Sequence, residues 1–130
     1  MSLRPRFSLA ALVMSLTLLV APAMAFEILP YDQAVVAAKI KAGKPVVIHV
    51  FAPWCLQCRA QETILNRLSQ KPGYEGVSFY RVDYDKQKDI VKAFDVPRST
   101  LIVYKAGEQV ALKSWGTNEK WVVDVLAAVE

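Results

Sequence analysis

Val46-Val47-Ile48-His49-Val50-Phe51 runs directly into Ala52-Pro53-Trp54-Cys55-Leu56-Gln57-Cys58-Arg59, and every other segment can be placed from this junction. Six residues with no polar break except His49 suit a strand covered on both faces. Cys55 to about Gln70 then reads as helix, with Ile64, Leu65 and Leu68 at core spacing and Lys71-Pro72-Gly73 ending it. The chain's only two cysteines, Cys55 and Cys58, therefore fall where a buried strand turns into a helix.

That position has chemical consequences. A free thiol, with a pKa of about 8.5, is mostly protonated at neutral pH, and only the thiolate is a good nucleophile. The first turn of a helix favours negative charge through its unpaired N–H groups and dipole. Cys58 lies one turn after Cys55 on the same face, close enough to close a disulfide onto it. A dithiol–disulfide cycle is the leading reading. A structural staple competes, although so short a loop contributes only about 2 kcal/mol in the chain-entropy picture. A zinc site also competes, but needs about four ligands where the chain offers two cysteines and its single histidine, His49.

Outward from the junction, periodicity and punctuation order the remaining elements. Phe26 to Leu29 is a short extended piece. Tyr31 to Ala42 is predicted helical, with Ala34, Val35, Ala38 and Ile40 inward and Gly43 as its stop. Val77 to Val82 is a strand, and Lys86 to Phe94 a helix closed by Asp95-Val96-Pro97. Thr100 to Tyr104 and Gln109 to Ser114 flank the hairpin signal Ala106-Gly107-Glu108. Thr117 is the expected cap of a last helix in which Trp121, Val122, Val125, Leu126 and Val129 recur with helical period. Strands alternating with helices predict an α/β domain with a mainly parallel central sheet, an antiparallel edge from the hairpin, and helices on both faces. The cysteines then sit at a strand's carboxyl end, where open α/β sheets place their chemistry.

Residues 1–25 read as a secretory signal peptide: Arg4 and Arg6 give a positive start, Phe7 to Val20 an apolar run, and Ala23-Met24-Ala25 a small-x-small cleavage site. An uncleaved membrane anchor is the alternative. Residues 26–130, 105 of the 130, are enough for one small domain. Export to the periplasm is expected, where a disulfide can persist and a dithiol needs an electron source. Removing Arg4 and Arg6 leaves 14 Lys+Arg against 12 Asp+Glu and lowers the formal charge from +4 to +2, which excludes nucleic acid binding by charge.

The mature chain resembles the thioredoxin family along nearly its whole length. The resemblance is carried by Phe51 to Arg59 with its Trp-Cys-x-x-Cys, by Arg81-Val82-Asp83-Tyr84-Asp85, by Thr100 to Gly107, and by Trp115-Gly116 before the final helix. It implies a thioredoxin-like fold, with a central mixed sheet flanked by helices on both faces, and a thiol–disulfide oxidoreductase with no cofactor or metal beyond its own redox-active disulfide. By the same resemblance Cys55 is the exposed attacking thiol and Cys58 the buried resolving thiol. Trp54, Arg98, Ser99, Thr100 and Gly116 form the substrate groove, with core filling as the other reading of Trp54 and an ordinary solvated loop position as that of Arg98.

Two positions depart from the family pattern. His49 stands six residues before Cys55, where the family carries a buried carboxylate. A neutral imidazole can serve as the base for the resolving thiol, a protonated one would lower both thiol pKa values, and a histidine that only satisfies its own hydrogen bonds is the third reading. Ser99 replaces the family's cis-proline, and because a cis bond before a non-proline residue costs about 3 kcal/mol, a trans bond is expected. Arg98 beside Cys55 would favour the thiolate.

The expected partners are protein thiols and disulfides, together with a membrane-bound electron donor or acceptor. Leu56-Gln57 is neither the Gly-Pro of reducing thioredoxins nor the Pro-His of strong periplasmic oxidants, and the direction of electron flow is read as reductive. The competing class is a non-enzymatic module that uses the same scaffold to hold a partner protein or a soft metal such as Cu(I) through the two thiolates.

Overall fold

A computed structural model describes residues 26–130; the signal sequence read in residues 1–25 lies outside the described residues. The elements run β1 (Ile28–Pro30), α1 (Gln33–Lys41), β2 (Val46–Phe51), α2 (Leu56–Leu68), β3 (Ser78–Asp83), α3 (Lys88–Phe94), β4 (Thr100–Lys105), β5 (Glu108–Ser114) and α4 (Glu119–Leu126), with a final 3-10 turn over Ala127–Val129. The five strands form one sheet in the order β1-β3-β2-β4-β5.

β2 is the central strand because its side chains are apolar on both faces. Val46, Ile48 and Val50 pack with Val36 of α1 and Ile90 of α3. Val47, on the opposite face, packs with Ile64, Leu65 and Leu68 of α2 and with Val122, Val125 and Leu126 of α4. His49 shares the Val47 face by strand alternation, so the only polar side chain of β2 points at α2.

The sheet is mixed, as the resemblance implies, and its antiparallel part is larger than the hairpin edge alone. β1, β2 and β3 are mutually parallel, whereas β4 runs antiparallel to β2 and β5 antiparallel to β4. The cause is the length of α3. Seven residues of helix span about 10 Å, against about 20 Å for a six-residue strand, so α3 cannot return the chain to the far end of the sheet. β4 therefore begins where β2 ends, with Thr100 opposite Val50, and β5 brings Ser114 back opposite Thr100. Both the 97–99 loop and the 115–116 loop are thus delivered to the strand end that carries the cysteines.

Two local expectations are corrected. In α1 the buried side chain is Val36, with Ile40 half-buried one turn on, while Ala34, Val35 and Ala38 face outward. Alanine-rich sequence gives too weak an amphipathic signal to fix the phase of a nine-residue helix. The cap of α4 is Asn118, whose side chain accepts from the Trp121 N–H at 2.9 Å, rather than Thr117; the amide oxygen of Asn118 sits at the extended residue three before that donor. The hairpin is the expected one: Ala106 and Gly107 have φ of 52° and 85°, as a two-residue turn between right-twisted strands requires.

Candidate functional site

Cys55 is the N-cap of α2. Its backbone is extended, and its Sγ accepts the Cys58 N–H at 3.2 Å, so a sulfur takes the role a serine or aspartate oxygen usually has. Any negative charge on that sulfur therefore faces the positive end of a 13-residue helix. Cys55 and Cys58 are joined as a disulfide, with Cα atoms 5.2 Å apart. Cys55 is not the exposed sulfur that the resemblance suggests: it is 2% exposed and Cys58 fully buried, with Ala52 at their side and Phe51 and Tyr84 packed over the pair. The inward turn of its sulfur, toward both the Cys58 N–H and the disulfide partner, accounts for the cover.

Beneath the pair lies a polar group that the apolar layer encloses. Cys58 Sγ is 3.9 Å from the Val50 carbonyl, and His49, the neighbouring residue of the strand, is buried with its Nε2 3.0 Å from Gln61 Oε1. Gln61 is itself buried on the Cys58 face of α2, and its amide nitrogen donates to the Ser99 carbonyl at 3.1 Å and the Gly116 carbonyl at 2.9 Å. Nδ1 of His49 has no hydrogen-bond partner among the described residues. Burial pushes the His49 pKa down to about 4; the Gln61 hydrogen bond opposes this shift and the Arg81 charge adds to it. Arg81, opposite His49 on β3, is ion-paired with Glu62 and lies 5.0 Å from the Phe51 ring centre. The imidazole is therefore neutral at physiological pH, and the protonated role open in the sequence does not apply.

Above the pair the surface is aromatic and cationic. Trp54 is 55% exposed; its indole N–H donates to Asp85 Oδ2 at 2.9 Å and its ring meets Tyr84 edge-on at 6.4 Å. The tryptophan is held in place at the surface and does not fill core. The Arg98 guanidinium lies between two indoles, 4.8 Å from the Trp54 ring centre and 5.2 Å from that of Trp115. Its Nε is buried without a partner among the described residues.

The other groove residues are present but internally engaged. Ser99 has φ 62°, a left-handed conformation closed to proline, and no cis peptide bond occurs among the described residues. The Ser99 N–H donates to the Val50 carbonyl at 2.9 Å, its carbonyl accepts from the Trp115 N–H at 2.8 Å as well as from Gln61, and its buried hydroxyl has no partner among the described residues. The Thr100 hydroxyl is committed to the Pro97 carbonyl and to Ser114. Gly116 is glycine because the ring of Trp121 occupies the space a Cβ would need, 1.9 Å from its nearest atom. Trp115, with φ 75°, is a second strained residue facing Ser99 across the site.

Sequence reasoning assigned no role to Gln61, Asp85 or Trp115. Gln61 had a visible signal, since a polar residue falls on the stripe formed by Cys58, Ile64, Leu65 and Leu68. Asp85 and Trp115 had none, because their partners are set by loops meeting at the strand end. Among the described residues no group of three or more His, Cys, Asp or Glu side chains could hold a metal ion.

Comparison with known proteins agrees with this geometry. The family described as Thioredoxin matches residues 28–128. A crystal structure of Trxlp from Edwardsiella tarda EIB202 superposes with a TM-score of 0.71 at 31% identity, covering 75% of this chain and 96% of that one. Thioredoxin Asp f 28 of Aspergillus fumigatus is 26% identical over 104 residues, 79% of this chain and 94% of the relative. A 53-residue stretch, 41% of this chain, is 36% identical to the thiol:disulfide interchange protein DsbE of Pseudomonas fluorescens biotype C and covers 27% of that protein.

Proposed function

The chain belongs to the thioredoxin family and is a thiol–disulfide oxidoreductase, and from that premise we propose that it is a periplasmic reductase of protein disulfides. In the reducing direction the Cys55 thiolate attacks one sulfur of a substrate disulfide, forming a Cys55–substrate bond and expelling the other substrate sulfur as a thiolate. Cys58 then gives its proton to Nδ1 of His49 and attacks Cys55 Sγ. This releases the second substrate thiolate and leaves the Cys55–Cys58 disulfide. Two electrons pass to the substrate, whose thiolates take up protons from His49 and solvent. A dithiol donor, expected at the membrane, restores the pair.

The observation that carries the reductive direction is the burial of His49 against the uncharged Gln61 amide, which keeps the imidazole neutral. Strong oxidants of this chemistry owe their potential to a stabilised thiolate, which makes the reduced form the favoured one. Here the group beneath the pair is uncharged, and Phe51, Ala52 and Tyr84 surround the sulfurs with apolar atoms. Both features withhold stabilisation from the thiolate, leaving the helix N-terminus as its main support. Trp54 and Arg98, with Trp115, present the substrate face, and the backbone N–H and C=O of Arg98 take no part in the hydrogen bonds of the described residues. Ser99, Thr100 and Gly116 hold that face from below.

Equilibration of the purified protein against glutathione and dithiothreitol buffers, read by thiol alkylation, tests the direction. A potential near the thioredoxin end, about −270 mV, is expected; one near −120 mV would make the protein a disulfide donor. The periplasmic reading is supported by the charged start, apolar run and Ala-x-Ala end of residues 1–25. Fractionation with N-terminal sequencing should recover a soluble form beginning at Phe26, and recovery from the cytosol with Met1 retained would overturn it.

A further inference from the structure

Gln61 sits at the one point where the layer beneath the cysteines meets both loops beside them. Its amide has four hydrogen-bonding sites, and three are used by partners of fixed chemistry. Two of those partners are carbonyl oxygens, Ser99 O and Gly116 O, which can only accept. The NH2 end of the amide must therefore face the loops, because the reversed amide would set three oxygens against one another at 2.9 and 3.1 Å. Oε1 then faces His49, so Nε2 of the imidazole must carry the hydrogen. The remaining nitrogen, Nδ1, carries a lone pair with no partner among the described residues.

We propose that Gln61 is a positioning residue of the redox centre: it fixes His49 as the Nε2–H tautomer, keeps Nδ1 as the proton-accepting nitrogen, and ties that arrangement to the 99 and 116 loops. The catalytic consequence rests on the reading of His49 as the base; the tautomer assignment does not. The arrangement also accounts for a fully buried glutamine on an otherwise apolar stripe, since any apolar residue there would leave His49 Nε2 and the Gly116 carbonyl without partners and take from the Ser99 carbonyl one of its two donors, the other being the Trp115 N–H. It links substrate docking to proton transfer, because movement of either loop alters the bond that sets the tautomer. The side chain that meets His49 from α2 is the neutral Gln61, and the charged residue opposite it is Arg81 on β3, ion-paired with Glu62; β4 presents Leu101.

The test uses the fact that His49 is the only histidine. Long-range ¹H–¹⁵N correlation spectra of the ¹⁵N-labelled protein at pH 7 should show one imidazole with Nε2 protonated and Nδ1 bare. Gln61→Met, which keeps length and volume but cannot accept, should lose that single-tautomer signature and slow the release of mixed disulfide about tenfold. Gln61→Glu should make His49 an imidazolium with both nitrogens protonated at pH 7 and move the rise of the pH–rate profile to higher pH, a shift that a merely structural role would not produce. A wild-type Nδ1–H tautomer, or a Gln61→Met spectrum identical to wild type, would overturn the proposal even if either variant folded poorly, since the first reading needs no variant. If His49→Leu leaves rate and pH profile intact while Gln61→Met still changes the tautomer, the base reading fails and the tautomer lock stands.

Discussion

Below the disulfide the chain holds a fully buried, uncharged imidazole; above it, a guanidinium lies between two indoles at the surface. The two regions flank the same pair of sulfurs, and burial separates what each can do. A group sealed from water keeps one protonation state over a wide pH range and feels its neighbours through a low dielectric. A group at the surface is always charged but screened, so its influence reaches partners rather than protons. The lower region should therefore govern chemistry with large, salt-insensitive effects, and the upper one recognition with small, salt-sensitive effects.

The largest effect comes from removing what the regions share. Cys58→Ala should abolish turnover while leaving Cys55 able to attack, so that substrate accumulates as a stable mixed disulfide visible on non-reducing gels. Continued turnover would mean that neither region acts through this pair. His49→Leu comes next, with a fall in reductase rate of about 10²-fold at neutral pH, the lower end of what a positioned general base contributes.

The same histidine makes a prediction about stability. Burial holds it at about 4 in the fold, against 6.5 for the ordinary side chain. Between these values the unfolded chain binds a proton that the fold refuses, so stability falls as pH is lowered from about 6.5 to 4. From this source the loss is about 3 kcal/mol. Urea titrations at pH 7, 5 and 4 should show that loss in the wild type and its absence in His49→Leu, and parallel curves would mean that the imidazole is not buried neutral. Gly116→Ala strikes the same region sterically. A methyl aimed at the Trp121 ring must displace it or the loop, at a cost of about 1–3 kcal/mol in urea unfolding.

What was legible in the sequence follows the same division between local and assembled features. The element order, the strand that carries His49 and the helix that begins at Cys55 are written in local periodicity and punctuation, and the fold reproduces them. The phase of α1 was not legible, because Ala34, Val35, Ala37 and Ala38 dilute the contrast between faces. Nor was the direction of β4, which depends on α3 being too short to recross the sheet. The site was legible where it is contiguous, as at Trp54, Cys55 and Cys58. It was not legible where three loops meet: the sequence holds no sign that Arg98 stacks on Trp115, or that Gln61 reaches Ser99 and Gly116 across 38 and 55 residues of chain.

The smallest predicted effect gives the sharpest separation of the two regions. Each cation–π contact of the half-buried Arg98 contributes about 1 kcal/mol, and its guanidinium adds a screened attraction for acidic groups near a substrate's cysteine. Arg98→Ala should therefore slow reduction of a disulfide peptide flanked by Glu about three- to tenfold at low salt. At about 1 M salt, where the Debye length is about 3 Å, the charge-dependent share of that deficit should disappear. Arg98→Lys keeps the charge without the planar stacking, and should retain the salt dependence while losing part of the rate. The His49→Leu deficit, measured on the same peptide, should not change with salt, because its cause lies beneath the sheet end and out of reach of ions. If instead salt erased the His49 deficit and spared the Arg98 one, the division of labour between buried base and surface cation would be wrong at its root.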